Sequence, residues 1–216
     1  MTKNITTLKR KSRAFVDDIH LDGLHWGAIN SFDTSYDLRE MEHSGSSLKS
    51  QVGQLSAGGR TALYDSIDYS IERLCKRHYA ADRHGIPMMM LTFTDGKDNE
   101  STASIRDVRS TIDRYDFFPS NNCYFVIAGI GDASNSEMRE LCADGYGAYL
   151  HADDIEAVFE MYKRIVTKLG KQVGRKISVT ERPNETKVRL KKFKRRYGAI
   201  FPIDYALNLD CSGSMG

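Results

Sequence analysis

Ile203-Asp204-Tyr205-Ala206-Leu207-Asn208-Leu209-Asp210-Cys211-Ser212-Gly213-Ser214-Met215-Gly216 is the stretch on which the fold turns. Its first half, Ile203 to Leu209, is an apolar run that reads as a buried strand. Its second half sets a carboxylate and two hydroxyls at alternate positions, Asp210, Ser212 and Ser214, just past that strand. Oxygen donors in this arrangement suit a hard divalent cation. A loop of this kind ordinarily runs straight into a helix, and no sequence follows Gly216 to form one. The segment that fits lies at the other end: Ile5 to Ile19 carries Ile5, Leu8, Phe15, Val16 and Ile19 at helical spacing among Lys and Arg.

Between these ends, strands and helices alternate. Leu24 to Phe32 reads as a strand and Tyr36 to Met41 as a short edge strand. Gly58-Gly59 punctuates the chain before a helix from about Ala62 to Tyr79. Met88 to Phe93 is an unbroken apolar strand closing in Thr94-Asp95-Gly96. A helix from Thr102 to Tyr115, a buried strand from Cys123 to Ile130 and a helix from Ser134 to Cys142 follow. Ala148 to His151 reads as a short strand and Asp153 to Val173 as a long helix. Strands written as continuous apolar runs and separated by helices predict an α/β fold with a mostly parallel sheet. Its ligand should lie at the carboxyl ends of the strands, where the polar loops after Leu209, before Ala62 and after Phe93 all fall. The region Lys176 to Tyr197 breaks the rhythm and reads as a basic, hairpin-like extension.

Composition narrows the function. The chain has 216 residues, 40% hydrophobic and 28% charged, and a formal net charge of +2. That is ample for one core and gives no global field to attract nucleic acid or membrane. No apolar stretch approaches the roughly 20 residues of a membrane span, and the first residues lack a signal peptide's apolar core. Cys75, Cys123, Cys142 and Cys211 have neither CxxC nor zinc-like spacing. Reduced, partly buried thiols and a cytoplasmic location are the expectation. His20, His25, His43, His78, His84 and His151 show no ligand spacing. Gly129-x-Gly131 lacks the third glycine of a dinucleotide loop.

Three islands carry the chemistry: Asp210-x-Ser212-x-Ser214, Gly58-Gly59-Arg60-Thr61-Ala62-Leu63-Tyr64-Asp65, and Leu91-Thr92-Phe93-Thr94-Asp95-Gly96-Lys97-Asp98-Asn99. Together they resemble the von Willebrand factor type A family and its metal-ion-dependent adhesion site. Tyr124 to Gly131 resembles that family's fifth strand, and Gly145 to Tyr149 with the helix from Asp153 resembles its close. The resemblance implies a doubly wound, Rossmann-like sheet with one antiparallel edge strand and helices on both faces. The order departs from the family's, in which the DxSxS strand comes first. Joining residue 216 to residue 1 restores it, so the chain reads as one circularly permuted domain. Residues 1–173 run from first to last helix, 174–200 are the basic extension, and 201–216 are the central strand and metal loop.

The resemblance implies that Ser212 and Ser214 ligate the metal, with Thr61 ligating directly or through water. Asp210 and Asp95 would accept hydrogen bonds from those hydroxyls and waters. Neutral hydroxyl ligands leave the cation underneutralised, so that it takes a further carboxylate oxygen from an Asp or Glu of a partner protein. Mg²⁺ is the expected ion, with Mn²⁺ or Ca²⁺ as substitutes. Plainer readings stand beside these. Asp210 to Ser214 is a polar turn, Thr61 an N-cap of the following helix, Asp95-Gly96 a turn, and Lys97-Asp98-Asn99 a solvated one. Cys211 is expected to be packed rather than nucleophilic.

The expected function is metal-dependent protein binding without catalysis, since no nucleophile and base share a motif. The alternative is a nucleic-acid or phosphate-binding module using Lys187, Arg189, Lys191, Lys192, Lys194, Arg195 and Arg196, a run that also reads as a solvated strand face. A central strand made last leaves an open slot that a neighbour's Ile203 to Leu209 would fill equally well, giving a domain-swapped self-association. A cut metal loop is expected to bind its ion more weakly than a joined one.

Overall fold

The computed structural model describes residues 3–20, 22, 24–38, 41–83, 85–130, 135–152, 154–173 and 202–212. Ser214, Gly131, both chain ends and the basic extension with its 187–196 run lie outside the described residues.

In chain order the elements are α1 (Lys3–Ile19), β1 (Trp26–Phe32), β2 (Tyr36–Leu38), α2 (Gly45–Gly53), α3 (Leu63–Ala80), β3 (Met88–Thr94), α4 (Ile105–Arg114), β4 (Cys123–Ile130), α5 (Asn135–Cys142), β5 (Ala148–Ala152), α6 (Ile155–Val173) and β6 (Asp204–Asp210). They form one six-stranded sheet in the order β2-β1-β6-β3-β4-β5. Five strands run parallel, and β2 pairs antiparallel to β1 at one edge. β6 therefore enters the middle of the sheet, with Leu207 opposite Ile29 on one side and Leu91 on the other.

The burial of each strand follows from that order. β3 and β6 are buried at every position, because both edges and both faces are covered. Their side chains alternate. Tyr205, Leu207 and Leu209 join Met89, Leu91, Phe93 and Ile29 under α1, α2 and α6. Met88, Met90, Ala28 and Ala206 point to α3, α4 and α5. Tyr205 fills the first layer, packing edge-on to Phe15 with ring centres 5.9 Å apart. It needs Gly27 beside it: a Cβ at residue 27 would lie 2.7 Å from Tyr205 Cζ and 2.9 Å from Leu48 Cδ1.

The second face of β6 differs in kind. Asp204, Asn208 and Asp210 alternate along it and all are fully buried. The middle member is met by a polar ladder. Asn30 Nδ2 donates to Asn208 Oδ1 at 2.6 Å, and Asn208 Nδ2 donates to Ser66 Oγ at 3.1 Å. Asn30 Nδ2 also donates to Ser70 Oγ on α3. These bonds form only when Asn208 lies opposite Asn30, so they fix the register of the central strand.

α2 (Gly45–Gly53) is an element for which the sequence reading made no assignment. The expected edge strand is present as β2 over Tyr36–Leu38, and residues 39 and 40 of its expected span lie outside the described residues. The four cysteines are free and buried, as expected. No helix among the described residues is long and apolar enough to cross a membrane.

Candidate metal centre

The carboxyl end of β6 brings Asp210 to the top of the sheet, beside the ends of β1 and β3. Its Oδ2 accepts from the Thr94 hydroxyl at 2.6 Å. Its Oδ1 accepts from the Ser212 backbone N–H at 2.9 Å. This is an Asx turn that folds the loop back over the strand end. Asp210 is fully buried and Ser212 is 2% exposed. Burial pushes the Asp210 carboxyl up to about 6, against the pull of the Thr94 and Ser212 hydrogen bonds, and the nearby charge of Asp95 adds to the rise. Two carboxylates thus converge here, one of them cut off from water, and among the described residues no cationic side chain pairs with the buried one.

The Gly-rich loop is sewn to this point by backbone hydrogen bonds. Gly58 N–H donates to Cys211 O at 2.8 Å, and Cys211 N–H donates to Phe32 O at 2.7 Å. Ala62 N–H donates to Asp33 O at 2.8 Å. Thr61, 3% exposed, is then clamped from the third island. Its N–H donates to Asn99 Oδ1 at 2.9 Å, and its carbonyl accepts from Asn99 N–H at 3.0 Å. Thr94 in turn accepts from Gly96 N–H at 3.2 Å, holding the turn that carries Asp95.

Two plainer readings are overturned by these contacts. Thr61 is not the N-cap of α3. The cap position is Ala62, which has no side chain able to serve. Asp98 supplies the acceptor instead, taking Leu63 N–H at 2.8 Å and the Ser101 hydroxyl at 2.5 Å. Nor is Lys97-Asp98-Asn99 merely solvated, since Asp98 and Asn99 tie the third island to the second. Thr94, Asp98 and Asn99 were absent from the expected set, although they sit within the quoted island. Cys211 is packed as expected: it is 2% exposed, and burial pushes its thiol up to about 12.

Asp210, Ser212, Thr61 and Asp95 therefore share one region, while Ser214 lies outside the described residues. Every donor in it is a carboxylate or hydroxyl oxygen, the class preferred by Mg²⁺, Mn²⁺ and Ca²⁺. No group of three or more His, Cys, Asp or Glu among the described residues could hold a metal. A centre here would thus depend on the hydroxyls. A cavity of about 190 Å³, lined by Ser31, Asp33, Ser35, Gln54, Ser56 and Cys211, opens beside the loop.

The model of the von Willebrand factor type A domain family matches residues 19–164. Among solved structures, the fold is similar to that of a von Willebrand factor type A protein from Catenulispora acidiphila, with a TM-score of 0.58 at 18% identity. The match covers 77% of this chain and 38% of that one, so this chain spans well under half the length of that relative. No curated protein matches the sequence. With the family model covering most of the chain and the sheet built in the same α/β manner, this protein belongs to the von Willebrand factor type A domain family.

Proposed function

We propose that this domain binds a protein partner through a divalent cation held at the top of β6. The observation that carries the reading is the buried Asp210 carboxylate, with Asp95 near it and three separate loops bonded around it. A buried ionised carboxylate is costly unless a cation faces it, and the oxygens available fit Mg²⁺. Ser212, Thr61 and, beyond the described residues, Ser214 would offer hydroxyl oxygens. Asp210 and Asp95 would hold those hydroxyls and the waters in place. The cation, when bound, supplies a position for an Asp or Glu oxygen of the partner. The residues of the chain do the orienting: Thr94 fixes Asp210, Asn99 fixes Thr61, and Gly58 ties the two loops. The reading includes no catalysis.

The same reading takes the chain as a circular permutant of its family. Two observations support it. β6 lies between β1 and β3 although it follows them in sequence, and the family match ends before β6 begins.

Calorimetric titration with Mg²⁺ and Mn²⁺ tests the metal. Saturable binding that Asp95→Ala and Thr61→Ala each weaken is expected, and no heat at millimolar ion would end the proposal. Display-library peptides selected in Mg²⁺ and released by chelator are expected to share an Asp or Glu. Selection without that enrichment would refute the partner's role.

A further inference from the structure

At the end of β6 opposite the metal loop, Asp204 occupies the same strand face as Asp210 and is fully buried. Its Oδ2 accepts from His78 Nδ1–H at 2.8 Å, and both its oxygens accept from Arg83 Nε–H at 2.8 Å. Arg83 also donates to the Leu24 carbonyl at 3.3 Å, and its guanidinium lies 5.0 Å from the centre of the Trp26 ring. The carboxylate is thus matched by Arg83, and its second role is to orient His78. With Nδ1 donating to Asp204, Nε2 is the ring's acceptor nitrogen in the tautomer that this bond selects.

His78 is 3% exposed, and its Nε2 has no hydrogen-bond partner among the described residues. The residue lines a cavity of about 250 Å³ together with Tyr79, Met88, Asp116, Asn121 and Cys123. Asp116 makes no ion pair among the described residues. Asn121 Nδ2 is engaged on Asp116 O at 3.2 Å, which leaves its amide oxygen as the unengaged end. Cys123 donates to Asn121 O at 3.4 Å.

What this cavity offers is therefore acceptors and one negative charge: an imidazole lone pair, a carboxylate and an amide oxygen beside the Tyr79 ring. A metal ion does not suit it, as no three His, Cys, Asp or Glu of the described residues come together closely enough. Nucleophilic chemistry does not suit it either, because the Cys123 thiol is not bonded to His78 and burial pushes it up to about 12. The volume is below the roughly 300 Å³ at which pockets begin to hold drug-sized molecules, so the occupant is a single small group. A planar cation with several N–H donors fits a lining that offers acceptors from α3 and from the loop at 116–121, and it can lie against an aromatic ring. We infer that this cavity is a binding site for a guanidinium group, donating to His78 Nε2 and paired with Asp116, at the opposite end of the central strand from the metal loop.

Titration of the full chain with methylguanidinium, followed by NMR at the His78 imidazole and the backbone amides of Gly85 and Cys123, tests this. Saturable shifts are expected there, with Thr94 and Cys211 unmoved. Asp116→Asn, at an exposed position, is expected to weaken binding about tenfold, the equivalent of roughly 1.4 kcal/mol. The uncharged isostere methylurea is expected not to saturate. A capped Gly-Arg-Gly peptide that binds as tightly would make the natural donor an arginine side chain, whereas binding of methylguanidinium alone would make it a free small molecule. Both results uphold the site. Non-saturating shifts, equal binding of methylurea, or binding untouched by Asp116→Asn would each overturn it.

Discussion

Replacing Asp210 by Asn separates the cost of the buried carboxylate from its use. Burial raises this carboxyl from 3.8 to about 6. A raised folded-state value means that the protonated form is preferred in the fold. The stability it confers is complete below pH 3.8 and is lost as pH rises through about 6. Two units at about 1.4 kcal/mol each make the loss roughly 3 kcal/mol at pH 7 in the absence of a cation. Asn has the same shape and no charge. Its Oδ1 can still accept from Ser212 N–H, and its Nδ2 can donate to Thr94 Oγ1. The Thr94 proton is then free to turn to Gly96 O, 3.2 Å away. In chelator at pH 7, Asp210→Asn is expected to be more stable by up to about 3 kcal/mol, or a melting point roughly 6–12 °C higher for a chain of this size. At pH 4 the gap should nearly close. Adding Mg²⁺ should reverse the order once it reaches about 1,000 times its dissociation constant, where it stabilises the wild type by about 4.1 kcal/mol, more than the deficit. Thermal melts of both proteins at pH 4 and 7, with chelator and with Mg²⁺, supply the four comparisons. A gap that is absent at pH 7, or of equal size at both pH values, would refute the reasoning.

Asn99→Ala removes the amide that clamps Thr61 and is expected to weaken Mg²⁺ binding about 10- to 100-fold, read by calorimetry, with little loss of secondary structure by circular dichroism. Asn208→Leu leaves the Asn30 amide and the Ser66 hydroxyl without their buried partner. Urea denaturation should show a loss of about 1–3 kcal/mol. Gly27→Ala drives a methyl into Tyr205 and Leu48, and the same assay should show about 1–3 kcal/mol lost through overpacking.

The fold was legible where burial leaves a mark on one stretch of chain. Met88 to Thr94 and Asp204 to Leu209 are covered on both faces, so they read as strands without any partner in view. α2 was not legible: Gly-Ser-Ser at its start and Gly at its end give weak helical propensity, and what holds it is Leu48 and Val52 packed against α1 and the sheet. Of the site, Asp210, Ser212, Thr61 and Asp95 stood out because their islands match a known pattern. The roles of Asp98 and Asn99 did not, because an Asp-Asn pair after a turn looks solvated until the loop from 58 to 62 is laid across it. The Asp204 cluster left no local trace at all. Its partners are 126 and 121 residues away in sequence, and Asp204 by itself reads as a polar interruption of a strand.

The central position of β6 also determines how the molecule opens. β2–β1 and β3–β4–β5 share no backbone ladder with one another, and β6 is the seam between them. The amides of β1 that face β6, and those of β6 that face β3, can exchange with solvent only if that seam parts. Hydrogen exchange should therefore give these amides one common, highest free energy of opening. The strand that follows all the others in sequence is the one whose release turns a single cooperative unit into two.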